Sequence, residues 1–89
     1  MQIEIYGQLV NGKRCQWCSK AMKFCEERKL PFTYRDMTKD TALQAEFTRR
    51  TNDAKSVPQI LVGDYIIGGF KELLAVHKAG ILQQLIGGN

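Results

Sequence analysis

Polar and apolar positions alternate from Gln2 to Tyr6, putting Ile3 and Ile5 on one face, the period of a β-strand. Gly7 to Arg14 loses that period and reads as a loop around the turn pair Asn11-Gly12. From Cys15 to Lys29 the apolar residues Cys18, Ala21, Met22 and Cys25 recur at i, i+3, i+4 and i+7. That spacing lines one face of a helix, with Lys20, Lys23, Glu26 and Glu27 mostly off it. Pro31 stops the helix, and Pro31 to Arg35, rich in aromatic and β-branched residues, predicts a second strand. Asp40 or Thr41 caps a second helix through about Arg50, on which Leu43 and Phe47 stand four apart. Ser56 to Val62 predicts a third strand, interrupted by Pro58. Gly63-Asp64 is a two-residue turn into a fourth at Tyr65-Ile66-Ile67. Gly68-Gly69 opens a last helix from about Phe70 to Ala79. Gly80 ends it in a left-handed conformation, and Ile81 to Ile86 packs back as a short turn or helix.

Strand, helix, strand, helix, strand, strand, helix is an α/β order. The first two strands are parallel, because a helix joins them; the last two are antiparallel, because two residues do. The expectation is a four-stranded mixed sheet flanked by helices.

Length and composition narrow this further. The 89 residues suit a single domain, 1–89, and 44% hydrophobic with 25% charged excludes a disordered or collagen-like chain. No apolar run approaches the ~20 residues of a membrane span. The alternating start has neither the basic nor the apolar stretch of a signal peptide, so a cytoplasmic location without membrane association is the default expectation. Thirteen Lys and Arg against nine Asp and Glu give a net charge of +4. The cations are interspersed with acids and no aromatic residues interleave with them, which argues against a nucleic-acid partner. A mildly basic surface suits small anions or an acidic partner.

The chemistry centres on Cys15-Gln16-Trp17-Cys18. A disulfide closing so short a loop removes little entropy from the unfolded chain, so a structural role is weak and a reversible redox role strong. Cys15 stands where a helix begins, beside free N–H groups and the positive end of the helix dipole, and Lys13-Arg14 precede it. Each favours the thiolate. Cys18, one turn in on the apolar face, is expected to act as the resolving thiol. Trp17 would stand exposed between the two as a platform; its other reading is core packing. A zinc site wants four ligands, and one Cys pair with Cys25 and His77 is a poor set. Cys25 reads as a small buried apolar residue, His77 as a solvated helix position.

Pro58 conflicts with sheet pairing unless it opens the strand, or unless a cis bond frees the backbone of Val57 to bind an extended thiol peptide. Gly68-Gly69 at a helix start offers N–H groups to a carboxylate.

Together Ile5-Tyr6, Cys15-Gln16-Trp17-Cys18, Ser56-Val57-Pro58-Gln59-Ile60 and Gly68-Gly69-Phe70 resemble the glutaredoxins, over nearly the whole chain. The long segment between Tyr6 and Cys15 looks like that of the short glutaredoxins of tailed phages. The resemblance implies a thioredoxin-like fold and a monomer. It implies glutathione as reductant with no permanently bound cofactor, and action on ribonucleotide reductase and other disulfide-bearing proteins. By position, Cys15 receives glutathione and Cys18 resolves it, with Trp17 beside them. Val57 pairs with the tripeptide ahead of cis Pro58. The N–H groups after Gly69, those of Phe70 and Lys71, take the γ-glutamyl carboxylate. Lys13 holds the glycine carboxylate, with Arg49, Arg50 or Lys55 as helpers. Two residues depart from the family's usual pattern. Gln16 replaces the usual Pro, and Lys71 stands where a small or acidic residue is usual and would repel the γ-glutamyl ammonium. The alternatives are a thioredoxin-like donor reduced by a flavoprotein reductase and a metal- or iron–sulfur-binding module with Cys15 as ligand.

Overall fold

The computed structural model describes residues 2–87. In chain order the elements are β1 (Ile3–Gly7), β2 (Leu9–Val10), β3 (Lys13–Arg14), α1 (Gln16–Glu27), β4 (Phe32–Asp36) and α2 (Thr41–Arg50). Then come β5 (Gln59–Val62), β6 (Tyr65–Gly68), α3 (Phe70–Lys78) and α4 (Ile81–Gly87). Four strands form one sheet in the order β4-β1-β5-β6. β1 runs parallel to β4 and antiparallel to β5, and β6 is antiparallel to β5. This is the mixed α/β sheet that the connections dictated.

The alternation in the strands decides what covers each face. Ile3, Ile5, Ile60 and Val62 pack with Ala21, Phe24 and Cys25 of α1, Leu73 of α3 and Leu82 of α4. Tyr6 and Leu61, pointing the other way, pack with Met37 and with Phe47 of α2. β1 and β5 are therefore covered on both sides, which is why they are the most apolar strands. Asp40 is the α2 cap, its carboxylate accepting from the Leu43 N–H at 3.0 Å. Gly80 has φ +78, the left-handed geometry expected after α3.

The segment read as a loop between Gly7 and Arg14 is different. Leu9 pairs with Arg14 and Val10 with Lys13, making a small antiparallel ribbon across Asn11 and Gly12. Both turn residues have positive φ (54 and 77), the twist that suits a two-residue hairpin. Two-residue arms carry no alternation to detect, so only the turn pair signalled this element. The third strand is also shorter than its apolar run, starting at Gln59 and leaving Ser56-Val57-Pro58 ahead of the ladder.

A polar network ties α2 to the sheet. Arg50 donates to Glu4 at 2.5 Å, to the Tyr6 hydroxyl at 2.7 Å and to the Gly63 carbonyl at 2.7 Å. Arg35 reaches the same Glu4 oxygen at 3.0 Å. Burial opposes the charge of Glu4, but hydrogen bonds from Arg50 and Arg35 hold its pKa below the usual value. Arg50 is thus committed to the Ile3 end of β1, away from Gly7, and does not serve as a carboxylate helper. Lys55, exposed, pairs with Asp53 at 2.9 Å.

Candidate active site

The site lies at the Gly7 end of β1, where α1, α3 and the segment before β5 converge. Cys15 is the N-cap of α1, with φ −55 and ψ 133, and no acidic residue follows in the first turn. Its carbonyl accepts from the Ser19 N–H at 3.0 Å, closing the first helical turn. Cys15 is half-exposed. Cys15 stands at the positive end of the helix dipole, the position that favours an anion. Its Sγ faces the Val57 carbonyl at 3.9 Å.

Cys18, one turn on, has no exposed surface. Burial, then a hydrogen bond and charge from Cys15, push its thiol up to about 12, while Tyr34 and the Gln8 backbone pull the other way. Two sulfurs of one four-residue motif thus occupy opposite environments, because one caps the helix and the other faces the sheet. Cys25 is likewise fully buried, and burial raises its thiol to about 11. It belongs to the core.

The Val57–Pro58 peptide bond is cis, the second of the two conformations expected there. The Val57 N–H donates to nothing among the described residues. Beside it runs a groove floored by Val57, Pro58 and Phe70, with Trp17 and Ser56 along it and Gly69, Lys71 and Glu72 at its far end. Trp17 is 44% exposed, its ring 6.1 Å from that of Phe70, with the Lys20 ammonium 4.5 Å above it. The tip position holds, and the aromatic pair makes a wall beside Cys15.

Gly69 caps α3, and its N–H is already taken by the Glu72 carboxylate at 2.9 Å. The N–H groups left for an anion are therefore those further into the first turn. Lys13 is exposed on β3 and is not among the residues lining the groove. His77 is not solvated: half-buried, it meets the Phe24 ring edge-on at 5.1 Å, and its buried Nδ1 has no hydrogen-bond partner. No three His, Cys, Asp or Glu side chains gather as a metal-holding group among the described residues.

Residues that no motif marked also meet here. Tyr34 pairs with Ile5 in register, which turns its ring toward α1, and its hydroxyl adjoins the Cys18 thiol. Gly7 makes room for both. A Cβ there would overlap the Tyr34 hydroxyl and stand 2.9 Å from Cys18 Sγ. Only strand register could have revealed this, and no local sequence pattern encodes it.

The glutaredoxin family model matches residues 3–67, most of the chain. A probable glutaredoxin of Synechocystis is 28% identical over 85 residues, covering 96% of this chain and 92% of that protein. The crystal structure of glutaredoxin 1 from Francisella tularensis superposes with a TM-score of 0.67 at 30% identity, over 88% of this chain and 93% of that one. The solution structure of a Brucella melitensis glutaredoxin gives 0.71 at 26% identity, over 96% and 87%. With the family model covering most of the chain and these relatives matching along nearly all of it, the chain belongs to the glutaredoxin family and is a thiol–disulfide oxidoreductase with a thioredoxin-like fold.

Proposed function

We propose that the protein uses glutathione to reduce protein disulfides and glutathione mixed disulfides, as a cytoplasmic monomer that can serve ribonucleotide reductase among its targets. One observation carries this reading: the sulfur of half-exposed Cys15 lies 3.9 Å from the carbonyl of Val57, a residue that lines an aromatic-walled groove. Cys15 is the nucleophile. It attacks a substrate disulfide, one substrate sulfur leaves as a thiol, and the other stays bonded to Cys15. Cys18 then attacks the Cys15 sulfur, releasing the second thiol and forming the Cys15–Cys18 disulfide. Two glutathione molecules return the pair to the dithiol and leave as glutathione disulfide. An extended tripeptide pairs with Val57 along the groove, stacks against Trp17 and Phe70, and sets its γ-glutamyl carboxylate on the Phe70 and Lys71 N–H groups. Lys13 meets the glycine end.

Lys71 favours a second reading. Its ammonium lines the groove where a γ-glutamyl ammonium would sit, which suits a donor reduced by a flavoprotein reductase. Paired assays separate the two. Turnover with glutathione and glutathione reductase, at roughly tenfold or more above that with thioredoxin reductase, is expected. Activity with thioredoxin reductase alone would overturn glutathione dependence and leave the dithiol chemistry standing.

A further inference from the structure

We propose that Tyr34 is a catalytic residue of the resolving step: its hydroxyl donates a hydrogen bond to the Cys18 sulfur as that sulfur becomes the attacking thiolate. This inference rests on the division of roles between Cys15 and Cys18 proposed above.

A fully buried sulfur is poorly placed to ionise, and water cannot reach Cys18 to help. Its surroundings supply two donors, the fixed Gln8 backbone and the rotatable Tyr34 hydroxyl. Hydrogen bonds to an ionised acceptor are worth about twice those between neutral groups, so the hydroxyl helps the thiolate more than the thiol. The pairing is built in from three sides. Strand register with Ile5 aims the ring, the Arg14 guanidinium covers it at 5.2 Å from its centroid, and Gly7 leaves the space through which the hydroxyl reaches the sulfur. Burial, then the neighbouring Cys18, also raises the Tyr34 hydroxyl to about 12, so it keeps its proton and acts as donor throughout.

The step balances without any other group. Cys18 loses its proton, and its thiolate attacks Cys15 in the mixed disulfide Cys15–S–S–R. The S–S bond between Cys15 and Cys18 forms, and the S–S bond between Cys15 and the sulfur of R breaks. The R thiolate leaves with the electron pair of that bond and takes up one proton. Cys18 is oxidised to the disulfide and R is reduced to its thiol, while Tyr34 retains its own hydrogen.

Dithiobis(nitrobenzoate) isolates this step without glutathione. The first coloured thiol released reports attack by Cys15, the second resolution by Cys18. Tyr34→Phe keeps the ring under Arg14 and deletes only the oxygen. The expected result is an unchanged first release and a second release slowed about tenfold. In a Cys18→Ser background the same substitution is expected to leave the first release untouched, which general damage to the site would not. A second release at the unsubstituted rate in Tyr34→Phe overturns the role of Tyr34. If the unsubstituted protein itself gives no second release, the division between Cys15 and Cys18 fails, and the role of Tyr34 with it.

Discussion

Cys15→Ser is expected to abolish thiol–disulfide exchange with every disulfide substrate, lowering turnover by roughly a thousandfold or more. The reason is access. Cys18 and Cys25 have no exposed surface, so neither can replace the lost nucleophile. A serine hydroxyl in the same place is both a weaker nucleophile toward sulfur and incapable of the mixed disulfide. The fold is little affected by the change, because the Cys15 side chain makes no capping hydrogen bond and its polar neighbours are the Val57 carbonyl at 3.9 Å and the Cys18 thiol, which a serine hydroxyl can also meet. Thermal melting is therefore expected to shift by no more than about 0.5 kcal/mol equivalent. Coupled reductase assays beside a melting curve check both halves. Residual exchange within tenfold of the unsubstituted protein would mean that another sulfur attacks.

Cys18→Ser divides the activities. Attack by Cys15 and transfer of glutathione from small mixed disulfides need one sulfur, so deglutathionylation is expected to persist within about twofold. Reduction of a protein disulfide needs an internal thiol to expel the target. Its replacement by millimolar glutathione from outside slows release at least about a hundredfold, since a neighbouring group acts at a far higher effective concentration. The covalent complex between Cys15 and its target then accumulates and is visible by mass spectrometry. The buried serine hydroxyl still has Tyr34 and the Gln8 backbone as polar neighbours, so the substitution leaves no orphaned group. Equal loss in both assays, without a trapped complex, would contradict the division of labour.

The elements legible in the sequence were those whose signal is local. Alternation in β1, the i, i+3, i+4, i+7 stripe of α1, the Asp40 cap and the Gly63-Asp64 turn each sit within a few residues. The order of those elements then constrained the sheet topology, because connection length decides whether neighbouring strands run parallel or antiparallel. Phe24, however, escaped the predicted stripe although it is buried in α1. It lies three from Ala21 and six from Cys18 and contacts Phe70 edge-on, a partner that only tertiary packing supplies. The site divides in the same manner. Cys15, Cys18, Trp17 and Pro58 belong to short motifs, whereas Gly7 and Tyr34 meet across two strands and a helix. Arg50 misled for a related reason. A cation at a helix end reads as free until the sheet brings Glu4 beneath it. His77 likewise reads as polar helix surface until Phe24 closes over it.

Underlying both variants is the claim that one sulfur of the pair meets solvent at the helix cap while the other is sealed against the sheet. Competitive alkylation of the reduced protein with iodoacetamide at neutral pH, mapped peptide by peptide, measures this directly. Cys15 is expected to be labelled at least about a hundredfold faster than Cys18 or Cys25, because reagent reaches it and because burial both closes off the other two and raises their thiols. Equal labelling of Cys15 and Cys18, or Cys18 reacting first, would contradict the account.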